Sequence, residues 1–255
     1  MPRIANPQPM SKPAERILAM AALAFADDGF AGASMTRLAE RCGVSKALLY
    51  HYYASKDEIL FRMLDAYTRR LIALCESVTA RRLAPQEHFD ALIRTLLIEY
   101  RTSRAVHKVI LQDVDHLPLA RRKRIRAQQR DVVEHFRAAI AGAFLTKADE
   151  LTRTAVAMMV LGMINWTFTW LDPDGALSYE DFASAVLAVC RGGLTELSGP
   201  RRRALGGTTK RRASAGEQPV SARPSDPEPS VAQRAGGRFA ERRPPPARSG
   251  RNESQ

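Results

Sequence analysis

Between Ser34 and Leu60 the chain reads S-M-T-R-L-A-E-R-C-G-V-S-K-A-L-L-Y-H-Y-Y-A-S-K-D-E-I-L, and this stretch limits the fold more than any other. Leu38, Ala39 and Cys42 fall on one face of a short helix that Ser34 can cap through its hydroxyl. Gly43 follows the last apolar residue, where the left-handed backbone that closes a helix costs a glycine least. Val44 fills the corner and Ser45 can cap the next helix, on which Lys46 and Tyr50 share one face while Leu49 and Tyr53 repeat on the other. Helix, tight Gly-containing turn and second helix is the arrangement that lays a recognition helix in the DNA major groove.

Helical periodicity continues without strand alternation, so the expected fold class is all-α. Helix one covers about 13–28, with Ile17, Leu18, Ala21 and Phe25 on its apolar stripe, and Gly29 is expected to stop it. Ser55-Lys56-Asp57-Glu58 is a capping pattern opening a helix to about Thr79, long enough to join one domain to the next. Pro85 begins a segment with Phe89, Leu92, Ile93, Leu96, Leu97 and Tyr100 on one face, and a shorter helix covers 104–115. Pro118 opens a long basic helix to about Phe144. Thr146 and Asp149 cap a helix expected to reach Leu171, and Ser178 with Asp181 starts the last, which Ser198-Gly199-Pro200 stops. The expected parts are an arm at 1–11, a DNA-binding domain at 12–54, a helical domain at 55–198 whose helix 55–79 connects the two, and a tail at 199–255.

Charge must be read by region. Of the net +12, the tail carries 13 Lys+Arg against 5 Asp+Glu, so the basic balance mostly describes the tail and does not by itself establish DNA binding. That tail also holds 8 of the 15 prolines and 7 of the 15 glycines, too little apolar surface to offset chain entropy, and is expected to be disordered. Cys42, Cys75 and Cys190 match no metal or redox spacing, and buried thiols in a reducing cytoplasm are expected. No apolar leader opens the chain, and the apolar run 155–171 carries Asn165, Thr167 and Thr169, so it reads as a buried helix and not a bilayer span.

The run 34–60 resembles the DNA-binding signature of TetR/AcrR-type transcriptional regulators. Thr36, Leu38-Ala39, Gly43-Val44-Ser45, Leu49-Tyr50, Tyr52-Tyr53 and Lys56 all stand in register with that pattern. Tyr53 replaces the family's more usual Phe, and its hydroxyl needs a partner or solvent. The resemblance implies a three-helix N-terminal DNA-binding domain and a C-terminal helical domain for ligand binding and dimerisation. It places Lys46 and Ala47 at base edges, where a Lys can donate to guanine and a methyl can touch thymine. Thr36, Tyr50, Tyr52 and Lys56 match positions that contact phosphates, Arg37 and Ser45 belong to the same surface, and His51 is placed for either kind of contact.

The partners implied are double-stranded operator DNA, a second copy of the chain and a small-molecule effector. The family's final two helices form a four-helix dimer contact, which fits the apolar circumference marked by Val156, Met159, Val160, Met163, Trp166 and Trp170, and Val186 is expected to face the partner. The family's cavity maps onto Tyr100, His107, Phe136, Phe144, Met158, Asn165, Trp166 and Phe168, an apolar wall with a few polar groups. The segment W-T-F-T-W-L-D-P-D-G-A-L-S resembles members that sense acyl-CoA thioesters or related hydrophobic acids. Arg121, Arg122, Lys123, Arg124, Arg126 and Arg130 spread around their helix and read as a solvated surface, with an anion-holding patch as the alternative.

No Gly-rich phosphate loop, nucleophile elbow or paired carboxylate appears, so no catalytic residue, cofactor or metal is assigned. His107 and His116 lack a second pair at metal-binding spacing. Two other readings stay open from the sequence: a DNA-coating protein driven by the basic tail, and an enzyme built on a helical ligand domain.

Overall fold

The computed structural model describes residues 12–198; the arm over 1–11 and the tail over 199–255 lie outside the described residues. Nine α-helices occupy the described residues: α1 (Lys12–Gly32), α2 (Met35–Cys42), α3 (Lys46–Tyr52), α4 (Lys56–Ala80), α5 (Pro85–Thr102), α6 (Arg104–Gln112), α7 (Leu119–Ala143), α8 (Glu150–Asn165) and α9 (Tyr179–Ser198). Two 3-10 turns interrupt them, at Val114–His116 and Trp166–Thr169. The class is all-α, as the unbroken helical periodicity requires.

The short helices are fixed at their ends. Ser34 Oγ accepts from Arg37 N–H at 3.2 Å, Ser45 Oγ from Leu48 N–H at 3.1 Å, and Ser55 Oγ from Glu58 N–H at 3.2 Å. Gly43 adopts φ 66°, and from that left-handed turn its N–H reaches Glu40 O while Val44 N–H reaches Ala39 O. With 7 residues, α3 is too short to hold itself together in water, so it depends on the Ser45 cap and on fully buried Leu49.

Three helix ends differ from expectation. The helix expected over 104–115 stops at Gln112, where Asp113 leaves the helical backbone and the 3-10 turn Val114–His116 follows. Gly29 does not terminate α1; it kinks the helix at φ 71° and ψ 158°, and one more helical turn runs to Gly32. Beyond the kink the Phe30 main chain lies near the Asp113 carboxylate and opposes the rise that burial gives its pKa. The eighth helix ends at Asn165 instead of Leu171, because the chain tightens into a 3-10 turn in which Thr167 donates its hydroxyl to Ile164 O at 3.0 Å.

One apolar core runs through the described residues. Ile17, Phe25, Leu38, Leu49 and Ile59 fill its N-terminal end; Leu64, Phe89, Leu92, Leu96, Phe136 and Ile164 fill the other. The long α4 packs on α1 near its start and on α5 and α7 beyond, so it belongs to both ends. Its buried Asp65 is held by Arg124 Nε at 2.8 Å, Arg69 at 3.0 Å and Gln128 Nε2 at 2.9 Å, which satisfies a carboxylate that burial would otherwise penalise. Val186 departs from expectation: only 4% exposed, it belongs to this protomer's own core, and Val189, 64% exposed, faces outward on the same helix.

Candidate nucleic-acid interface and effector cavity

The recognition face is built from α3 outward. Leu49 is buried and Tyr53, 4% exposed, donates its hydroxyl to Ala14 O at 3.1 Å, so the extra hydroxyl ties the end of α3 to the first turn of α1. Burial pushes the Tyr53 phenol up to about 12, so it stays a neutral donor. With that side locked inward, Lys46, Ala47, Tyr50 and His51 are all exposed on the other. Thr36 and Arg37 are exposed beside them on α2, while Tyr52 is half-buried with His51 edge-on to it at 5.3 Å. Arg41 on the same helix pairs with Asp27 and Asp28, fixing α2 against α1.

Three of the predicted contact residues carry structural duties. Arg37 donates to Gly32 O at 3.3 Å and stands 3.5 Å from the Asp28 carboxylate, which ties α2 to the end of α1. Ser45 spends an acceptor lone pair on its cap, and its hydroxyl hydrogen is left to turn outward. Lys56 donates to Phe30 O at 3.0 Å and Ala33 O at 3.1 Å, with its ammonium 4.5 Å from the Phe30 ring centroid. An ammonium has three N–H groups, so one is left for a phosphate.

Cys42 is half-buried and sits 3.8 Å from Ile17 O, and burial raises its thiol, which disfavours the reactive thiolate. Cys75 and Cys190 are buried and pushed up to about 12 and about 11.

A cavity of about 390 Å³ opens between α4, α6, α7 and α8. Leu71, Ile110, Val132, Val133 and Leu161 supply its apolar wall; Arg126, Gln129 and Arg130 stand along α7 at its edge. Of the eight residues expected to line it, Tyr100, His107, Met158 and Asn165 do so. The other four do not. Phe136 is fully buried in the core, Phe144 packs edge-on to Phe89 at 5.3 Å, Phe168 lies edge-on to His107 at 6.1 Å, and Trp166 is 57% exposed because the 3-10 turn rotates it outward.

His107 is the best-fixed polar group in the cavity wall. Its ring stacks on Tyr100 with centroids 3.8 Å apart, Tyr67 Oη donates to Nδ1 at 2.9 Å, and Nε2–H donates to Asn165 O at 3.0 Å. Desolvation lowers its pKa to about 4, with the Asn165 bond opposing it, so the ring is neutral at pH 7 and both nitrogens are used. Tyr100 is likewise raised by burial, mainly through desolvation, and remains a phenol. The Asn165 Oδ1 is buried without a partner among the described residues.

The arginines of α7 sort into two sets. Arg121 and Arg124 lie over the Phe61 ring at 5.1 and 5.7 Å, on the α4 side. Arg126 and Arg130 reach the cavity edge, which gives weight to the anion-holding alternative for part of the cluster.

Outside α8 and α9 lies an apolar groove of about 660 Å³, lined by Met159, Gly162, Met163, Val189, Gly193 and Leu197 among others. Met159 and Val189 in its wall are more than half exposed, as are Trp166 and Trp170 after α8, a surplus of apolar surface for one chain.

The family assignment rests on both halves of the chain. Residues 17–63 match the profile described as bacterial regulatory proteins, tetR family, and residues 82–194 match a tetracyclin repressor-like C-terminal domain. A TetR-family transcriptional regulator from Bordetella parapertussis is 31% identical, with TM-score 0.68, and the match covers 71% of this chain and 94% of that one. The chain belongs to the TetR family. It is a transcriptional regulator and not an enzyme. It is also similar to the transcriptional repressor KstR2 of Mycolicibacterium smegmatis, 25% identical over 76% of this chain and 98% of that protein. AibR, solved with isovaleryl coenzyme A and operator DNA, is 26% identical with TM-score 0.62, covering 70% of this chain and 97% of that chain. No helix among the described residues is long and apolar enough to cross a membrane, and no cluster of metal-binding side chains appears among them.

Proposed function

We propose that this TetR-family regulator is a repressor that binds a palindromic operator as a homodimer and releases it when a small hydrophobic acid or acyl-CoA fills the cavity. The observation that carries the reading is the outward face of α3, where Lys46, Ala47, Tyr50 and His51 are exposed together while Leu49 and Tyr53 anchor the helix from behind. Lys46 and Ala47 read base edges; Thr36, Arg37, Ser45, Tyr50, Tyr52 and the remaining N–H of Lys56 hold phosphates, and His51 serves either. Two copies joined across the α8–α9 groove present two such helices, which adds the affinity one module lacks. The similarity to the repressor KstR2 and to AibR, which binds isovaleryl coenzyme A, supports the sign of regulation and the ligand class. An effector acts only through its unequal affinity for the operator-competent and released states.

A second reading comes from the tail, whose 13 basic residues would favour any duplex. The test is binding of the full chain to random duplex and to a duplex selected from a random library, at rising salt. A regulator keeps a large preference for the selected site at physiological salt, and Lys46→Ala erodes that preference. Equal binding to both duplexes at every salt concentration leaves only the coating activity.

A further inference from the structure

The charged groups at the cavity edge are arranged so that a ligand can exchange for one of them. Arg126 donates to both carboxylate oxygens of Asp115, at 3.2 and 3.4 Å, and to Gln129 Oε1 at 3.3 Å. Arg122 donates to the main-chain carbonyl of the same Asp115 at 3.2 Å. Asp115 lies in the 3-10 turn Val114–His116, so α7 holds that turn by two arginines. Arg130 makes no hydrogen bond or ion pair among the described residues, although it lines the cavity with Arg126.

The other side of the 3-10 turn bears on the DNA-binding end. His116 stacks on the Phe30 ring at 5.1 Å, and its Nε2 lies 3.6 Å from the neighbouring Asp113 carboxylate. Phe30 in turn accepts Lys56 at the start of α4 through its carbonyl and its ring. The turn is thus a bridge between the cavity edge on α7 and the junction of α1 with α4.

We propose that the cavity takes an apolar chain ending in an anion, and that the anion takes Arg126 from Asp115, loosening the turn on which the end of α1 rests. The inference rests on the reading of this cavity as the site of an acidic effector and adds the side chains that take the anion and the route of its signal. The Asp115 side chain is 71% exposed, so its hold on Arg126 is that of a surface ion pair, weak and screened by water. A ligand anion arrives attached to a buried apolar chain, which excludes water from the same guanidinium and strengthens the charge-assisted bond. Guanidinium groups stay charged, so the free Arg130 gives an anion a second donor fork and gives a neutral head far less. At 390 Å³ the cavity accommodates roughly a dozen water-sized groups at about 30 Å³ each, which suits a chain of about ten carbons. The anion can be a free carboxylate or the phosphates of a coenzyme A thioester, since both offer the same oxygens to Arg126 and Arg130.

The test uses the full chain with decanoate, decanoyl-CoA and, as the neutral control, decanol. Calorimetric titration should give at least one anion a Kd more than tenfold below that of decanol, and Arg130→Gln should remove most of that advantage. Which anion binds identifies the source: decanoate alone points to a free acid, decanoyl-CoA alone to the coenzyme phosphates. Asp115→Asn frees Arg126, so it should tighten the preferred anion about three- to tenfold. By reciprocity it should also weaken, without any ligand, binding to the duplex selected by the wild-type chain. Equal Kd values for decanol and both anions, or no binding of any of the three, overturn the ligand chemistry. An Asp115→Asn chain with unchanged anion and operator affinities overturns the exchange. Equal binding of all three, or an unchanged Asp115→Asn chain, leaves the cavity as an effector site and confines the failure to this inference. No binding of any of the three also removes the proposed effector class, while sequence-specific operator binding by the wild type would still stand.

Discussion

Replacing His107 by Gln tests the cavity wall through its response to pH. His107 is 2% exposed and its folded pKa is about 4, against 6.5 for the unperturbed ring. The folded state therefore binds the proton less readily than the unfolded chain, and stability falls as pH drops below the unfolded value and continues to fall until the folded value is passed. A depression of this size corresponds to roughly 3 kcal/mol over the full window, and to about 2 kcal/mol between pH 7 and pH 5. A Gln can still accept from Tyr67 Oη and donate to Asn165 O, so the fold is expected to persist with a loss of about 1 kcal/mol at pH 7. Urea unfolding of both chains at one protomer concentration, at pH 7, 6 and 5, gives the difference curve directly, because every other titrating group is common to both. The wild type should lose its advantage and become the less stable chain by pH 5. Parallel stability curves for the two proteins would refute the argument that His107 is buried neutral between Tyr67 and Asn165.

Val189→Arg should give a folded monomer with weakened operator binding, read by sedimentation, because Val189 points outward from α9 into the groove. By contrast, Val186→Arg should abolish cooperative unfolding, since it buries an unpaired charge in the protomer's own core. Tyr53→Phe removes one hydrogen bond to Ala14 O and should cost about 0.5–1.5 kcal/mol in urea unfolding without changing sequence preference. Ser45→Ala removes the cap of α3 and should cost about 1 kcal/mol, visible in the same assay. Lys46→Ala should lower discrimination among duplexes by about 1–3 kcal/mol, measured as the ratio of selected to random binding, while Tyr50→Ala should weaken all duplexes alike.

Local rules carried the reading of the DNA-binding end. Ser34, Gly43, Ser45 and Ser55 act on neighbours within a few residues, so their roles were visible as spacing, and each forms the expected cap or turn. Gly29 is ambiguous for a local reason as well: a glycine can stop a helix or kink it, and here it kinks α1 and leaves the chain helical to Gly32. The cavity was harder. Tyr100, His107, Met158 and Asn165 line the cavity and stand out in sequence as polar groups and a Met among apolar residues, whereas Leu71, Ile110, Val132 and Val133 look like any packed aliphatic side chains. Aromatic character does not tell core from cavity wall: Phe136 is fully buried, and Phe144 packs on Phe89. Trp166 and Val186 depend on helix phase. The 3-10 turn after Asn165 and the rotation of α9 decide which face each side chain takes, and neither is encoded within a few residues.

The central claim is that two recognition helices, each presenting Lys46, Ala47, Tyr50 and His51, read one operator together. The most direct measurement is selection of bound duplexes from a random library by the full chain, followed by sedimentation of the complex on the recovered site. The expected site is an inverted repeat whose half-sites lie one helical turn or a small multiple apart, bound by an even number of protomers, with loss of either half-site greatly weakening binding. Recovery of a single unpaired half-site bound by one protomer, or of no sequence preference at all, would contradict it.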